Sequence, residues 1–188
     1  VDAIRQDAVK LSEGEKALLA LIAERLDSLG LRGEPFDFRD SDTAHSFSSC
    51  LRVDLPGARG DTVVLTVPLN HPPDAPPGSD GSVSVALALA LLGRLGGSLP
   101  PVSFTVLFLG AEYGDTDAYP MGSALFLRDF RPSYPVAVIS LNLHAIPSRL
   151  RVRSAGRGVV SPSWLLMRCL RSLDRAAIPF AAPGAERS

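Results

Sequence analysis

The sequence predicts an α/β domain of three layers, a mostly parallel central sheet with helices on both faces. Three observations lead there. Two continuous apolar runs, Val102 to Leu109 and Val136 to Leu143, have the length and composition of buried strands. Helical patterns over 83–95 and 121–130 alternate with the strand patterns. The connections around them are short, and strand–helix–strand units with short right-handed crossovers lie side by side and parallel.

The elements follow in order. Ser12 with Glu15 has the pattern of a capping box, and Leu18, Leu19, Leu21, Ile22, Leu26 and Leu29 recur at helical spacing until Gly30 stops the helix. The segment 34–47 is polar and dotted with aromatics, which fits a loop or an edge strand. Ser49 to Leu55 and Thr62 to Leu69 read as strands, separated by the turn signals Pro56–Gly57 and Gly60–Asp61. Asn70 to Ser82 is rich in proline and glycine and must be a loop. The helix from Val83 to Leu95 is apolar all round, which predicts full burial. Leu150 to Val152 adds a short strand, and Pro162 to Ala176 an amphipathic helix with proline near its first turn. One domain is expected over 1–177, with a weakly structured tail over 178–188.

Composition excludes several classes. Of 188 residues, 46% are hydrophobic and 21% charged, which no disordered chain carries. Nineteen basic against 20 acidic residues leave a net charge of -1, so the basic footprint of a nucleic-acid binder is missing. Two cysteines, Cys50 and Cys169, exclude a disulfide scaffold and read as core thiols, and Trp164 reads as packing. The apolar run 83–95 is shorter than the roughly 20 residues a membrane-spanning helix needs. The start at Val1 shows no signal-peptide pattern, and neither it nor the cysteines assign a compartment.

Parallel sheets bind ligands outside the carboxyl ends of their strands. Those ends carry Asn70–His71, Gly110–Glu112 and Asn142–His144, with Asp80 just before the buried helix. Carboxylates and imidazoles converging on such a rim are ordinary zinc ligands. Each residue also has a plain structural reading. His71 is a ligand or an exposed loop histidine; Asp80 is a ligand or a helix cap. Glu112 is a site residue or a buried carboxylate paired with a cation such as Arg128. His144 is a ligand or a polar residue at a strand end. Tyr113 and Tyr119, beside Asp115 and Asp117, line a pocket or an ordinary surface loop.

Over residues 12–175 the order of motifs resembles the di-zinc exopeptidases of metallopeptidase family twenty-eight, of the bacterial aminopeptidase and glutamate-carboxypeptidase type. "SSCLRVDLPG" looks like the family strand entering a Pro–Gly turn, and "DTVVLTVPLN" like the strand ending in His-x-Asp. "GSDGSVSVALALALLGRL" is similar to its Asp loop and buried helix. "VSFTVLFLGAEYG" resembles the strand ending in Glu-Glu-x-Gly, Met121-Gly122-Ser123 the start of the next helix, and "VAVISLNLH" the strand ending in Asn-x-Asp. The resemblance implies a zinc-exopeptidase fold whose C-terminal part, with the last histidine ligand, is not included in this chain.

Residue by residue, the resemblance places the first metal-ligating histidine on Pro68 and its orienting aspartate on Asn70. It places the bridging carboxylate on Asp80, the general base on Ala111, a metal-ligating glutamate on Glu112 and a ligating aspartate on His144, with Asn142 before it. Proline cannot ligate zinc, and alanine cannot carry the proton that general acid–base catalysis moves. No catalytic residue is assigned. Asp80, Glu112 and His144, with His71 in a shifted register, would hold one zinc ion at most, within about 8 Å of one another. The expected function is a degenerate aminopeptidase-like module that binds a peptide or protein at the strand-end cleft. Self-association or a partner is expected along a sheet flank left apolar, unless the final helix from Pro162 folds over it. The alternative is a divergent zinc metallohydrolase with a reduced site.

Overall fold

The computed structural model describes residues 2–39, 46–71, 82–113, 121–129, 135–141, 150–151, 155–156, 159–160 and 162–181. The chain forms two compact units, Val1–Ala145 and Ile146–Ser188.

In the first unit, helix α1 (Asp2–Ser28) precedes strands β1 (Gly33–Arg39), β2 (Ser46–Leu55) and β3 (Thr62–Pro68). Helix α2 (Ser82–Leu95), β4 (Ser103–Leu109), α3 (Met121–Asp129) and β5 (Pro135–Ser140) complete it. The five strands form one sheet in the order β1-β2-β4-β3-β5. β3 is parallel to β4 and to β5, whereas β2 is antiparallel to β1 and to β4. The sheet is therefore mixed. The parallel part is the one built from strand–helix–strand units.

Strand alternation distributes the core over both faces. Leu51, Val53 and Leu55 of β2, Leu65 and Val67 of β3, and Val106 and Phe108 of β4 cluster with Ile22 and Leu26 of α1 and with Val85, Ala88 and Leu92 of α2. Side chains of the opposite parity, Cys50, Val64, Leu107 and Leu109, cluster with Phe36, Ala111, and Leu125 and Phe126 of α3. Right-handed crossovers explain the arrangement. From β3 the chain steps to β4 through α2; from β4 it returns past β3 to β5 through α3, so the two helices pack on opposite faces.

Several sequence expectations are corrected. The capping signature at Ser12–Glu15 lies inside α1, which begins at Asp2; Glu15 has another task, described below. α1 does stop at Gly30, whose φ is 68°, with Leu31 N–H donating to Leu26 O at 3.0 Å and Gly30 N–H to Asp27 O at 3.0 Å, a Schellman closure. Segment 33–39 is an edge strand. α2 is not fully buried: Ala88 and Leu92 are at 0% exposure but Leu87 is 47% exposed, because only one side meets the sheet. Nor is β5 fully buried: among the described residues it pairs with β3 alone, and Val138 is 64% exposed.

The second unit pairs β6 (Leu150–Arg151) in parallel with β9 (Phe180–Ala181), and β7 (Ala155–Gly156) antiparallel with β8 (Val159–Val160). The tail expected to be weakly structured thus contributes β9. Helix α4 (Ser163–Arg175) starts after Pro162 and ends with Ala177 at φ 52°, where Ile178 N–H donates to Leu173 O at 3.0 Å. No side chain of α4 is buried. Cys169 is exposed and so is not the core thiol the sequence suggested, and Trp164, read as packing, is 52% exposed.

Candidate functional site

Where two adjacent parallel strands send their following connections to opposite faces, a crevice opens at their carboxyl ends. Here that point lies between β3 and β4. Leu69 N–H donates to Leu109 O at 2.9 Å, the last bond before the two chains part. Asn70 leaves β3 and Gly110 to Tyr113 leave β4, so these segments face each other across the crevice.

Asn70 bridges it. Its Nδ2 donates to Tyr113 O at 2.7 Å, and its Oδ1 accepts from Glu112 N–H at 3.1 Å and Tyr113 N–H at 3.3 Å. A side-chain amide is suited to this, offering donor and acceptor at once. Below, Gly110 N–H donates to the buried Cys50 Sγ at 3.3 Å, and Cys50 is at 0% exposure, the core thiol expected from the sequence. Ala111 is 6% exposed with φ 50°, a left-handed conformation that costs an alanine about 1 kcal/mol or more. Its N–H donates to Glu15 Oε1 at 3.1 Å, and Glu15 is itself 6% exposed. The polar residue that interrupts the apolar face of α1 therefore ties that helix to the end of β4.

Glu112 is held by the opposite helix. Oε1 accepts from Ser123 N–H and Oε2 accepts from Ser123 Oγ at 2.8 Å, so the carboxylate sits on the first turn of α3, where helix N–H groups lack intrahelical partners. Gly122 makes room: a Cβ there would lie 2.5 Å from Gly110 O and 2.8 Å from Glu112 Oε1. Burial holds the Glu112 carboxyl above its ordinary range, and the Ser123 hydroxyl and N–H offset part of that rise. The sequence pointed to a cation such as Arg128 as partner for this carboxylate; the hydrogen bonds on it come instead from Ser123.

Of the four candidate metal ligands, Glu112 stands on this crevice and His71 is exposed just beyond Asn70. Asp80 and His144 lie outside the described residues, as do Asn142, Tyr119, Asp115 and Asp117. Among the described residues no group of three His, Cys, Asp or Glu side chains could hold a metal ion. Pro68 lies in β3 opposite Leu109, filling its position with an apolar ring. Taken alone, the described residues do not fit a zinc ion. Glu15 was missed by sequence reasoning. Its only signal was a carboxylate three residues before the leucine run, which reads more simply as a helix cap.

No protein-family model matches the chain, nor does any curated protein sequence. Solved structures do. A Zn-dependent exopeptidase from Parabacteroides distasonis matches with a TM-score of 0.59 at 15% identity, over 96% of this chain and 74% of that one. Tannerella forsythia glutaminyl cyclase matches with a TM-score of 0.62 at 14% identity, over 96% and 75%. A leucine aminopeptidase precursor from Bacteroides thetaiotaomicron matches with a TM-score of 0.53 at 15% identity, over 82% of this chain and 61% of that one. The chain thus spans about three quarters of the first two proteins and less than two thirds of the third. These likenesses give the chain the fold shared by the Zn-dependent exopeptidases and glutaminyl cyclases that it matches.

Proposed function

We propose that this chain is a degenerate aminopeptidase-like domain that works as a peptide- or protein-binding or assembly module and is not an efficient peptidase. The observation that carries the proposal is the engagement of Glu112, whose two carboxylate oxygens accept hydrogen bonds from Ser123 N–H and Oγ. A carboxylate used in this way fixes the first turn of α3. Around it, Asn70 holds the backbone of Glu112 and Tyr113, and Ala111, the position of the general base in the resembling family, offers only a methyl group. Without a proton carrier there, general acid–base help of about 100- to 10,000-fold is lost. In the same reading the fold is three-layered, the domain runs over residues 1–177, the crevice beside Asn70 receives a peptide or protein segment, and copies of the chain associate.

One observation favours a second reading, a divergent zinc metallohydrolase that uses Asp80, Glu112, His144 and His71 for one ion. Burial keeps Glu112 above the ordinary carboxylate range, as happens at catalytic carboxylates. Two assays separate the readings: hydrolysis of a panel of aminoacyl chromogenic substrates with added zinc, and cyclisation of a peptide with N-terminal glutamine. Metal content is measured by mass spectrometry before and after chelation. The proposal expects turnover at background level, unimproved by Ala111→Glu. Chelator-sensitive turnover that Glu112→Ala abolishes would establish the hydrolase instead.

A further inference from the structure

Two stripes of α1 meet the sheet differently. Ile22 and Leu26 enter the core, whereas Lys16, Leu19, Ala20 and Ala23 recur at i, i+3, i+4 and i+7 and border a cavity of about 350 Å³. Pro35 of β1 and Leu51 of β2, which face each other in the sheet, form its opposite wall. The small side chains at 20 and 23 leave this space where larger ones would fill it. Gly33 borders it too, and a Cβ there would fall 2.9 Å from the Leu51 side chain. The lining is mainly apolar, and the volume lies within the range of small-ligand sites.

The cavity is polar at one end. Glu15 reaches Ala111 at the end of β4, so Lys16 stands at that end. Leu51 is set against Phe108, so Ser49, two residues earlier, also lies beside the end of β4. Ala23 and Gly33 lie towards the opposite end, with Gly33 against Val53. From Lys16 to Ala23 is two turns of helix, about 10 Å. Lys16 is the one charged side chain in the described lining. Its ammonium, a compact charge with three donors on a flexible stem, suits a carboxylate.

We propose that this cavity binds a medium-chain fatty acid, with its carboxylate at Lys16 and Ser49 and its alkyl chain along Ala20, Ala23 and Leu51 towards Gly33. The length of the trough matches such a chain, and the single cation decides which sign of charge is admitted. An exposed ion pair contributes little, so affinity comes mainly from the apolar walls. The site opens beside α1 and not between β3 and β4, and it does not rest on the proposed function.

Isothermal titration calorimetry of the full chain with octanoate provides the test. Saturable binding of one molecule per chain is expected, tightening about fourfold per methylene from butyrate to octanoate. Octylamine, of similar length and opposite charge, is expected to bind about fivefold more weakly. Ala23→Leu, which fills the apolar end, is expected to weaken octanoate binding about tenfold or more, and Lys16→Gln about threefold. Circular dichroism identifies a variant that unfolds; Ala20→Leu then replaces Ala23→Leu with the same expectation. A wild-type chain that does not bind octanoate overturns the proposal. So do octylamine binding as tight as octanoate, a folded filled variant that binds octanoate like wild type, and an affinity that Lys16→Gln leaves unchanged. None of these variants alters Asn70, Glu112 or Ser123, so their outcome is separate from that of the turnover and metal assays.

Discussion

Where β3 and β4 begin, the sheet is closed mainly by backbone. Ser103 N–H donates to Asp61 O at 2.9 Å, Ala58 N–H to Pro100 O at 2.9 Å, and Gly57 N–H to Ser103 Oγ at 3.0 Å. Where the same strands end, closure depends on ionisable and amide side chains brought from far along the chain: Glu15 on Ala111, Asn70 on Glu112 and Tyr113, and Glu112 on Ser123. The first rim leaves almost no room for change. The second can be rearranged one side chain at a time, which is how a site is altered while its scaffold survives.

Substitutions at the two rims sharpen this contrast. The largest effect is expected for Gly57→Ala, whose Cβ would fall 2.2 Å from the Val102 carbonyl carbon; a loss of about 3 kcal/mol, independent of pH, should appear in denaturant unfolding. A loss below 1 kcal/mol would remove the claim that this rim is rigid.

At the other rim, Glu15→Leu leaves the buried Ala111 N–H without this acceptor and is expected to cost about 2 kcal/mol, with Glu15→Gln much milder because its amide oxygen can still accept. Equal losses for both variants would show that the hydrogen bond is not what matters.

Glu112 adds a pH dependence. Its folded-state pKa is raised, so the folded chain favours the protonated form. The stability it contributes is therefore present below the unfolded-state pKa and is lost as pH rises through the folded-state value. Thermal unfolding compared with Glu112→Gln should show wild type gaining on the variant as pH falls from neutral into the ordinary carboxylate range. A gain in the opposite direction would mean that the bonds from Ser123 outweigh burial.

The smallest effect belongs to neither rim. Arg52 Nη2 lies 2.6 Å from Asp54 Oδ2 and 3.8 Å from Glu34 Oε2 near the β1 edge, and Glu34→Ala is expected to change stability by less than about 0.5 kcal/mol.

Sequence patterns located the parallel half of the sheet well, because β3, α2, β4 and α3 carry their periodicity in local residues. The antiparallel half was harder. β1 contains Pro35 among charged residues, a pattern that describes an edge and a loop equally well, and its strand character comes from pairing with β2. In α2 the uniform apolar composition concealed which side meets the sheet, so the exposure of Leu87 left no signal. At the site, the altered chemistry of Pro68 and Ala111 could be read from motif order. The hydrogen bond from Ala111 to Glu15 joins residues 96 positions apart, and no local pattern announces it.

The two thiols of this chain differ in access, one buried beneath Gly110 and the other exposed on α4. A thiol-reactive probe should therefore label Cys169 at once, while Cys50 waits for β2 and the end of β4 to separate. The delay between the two modifications is a clock for local opening of β2 from the end of β4, next to the crevice. With it, the breathing of this region can be timed in the unaltered protein, without a substrate or a metal to report on it.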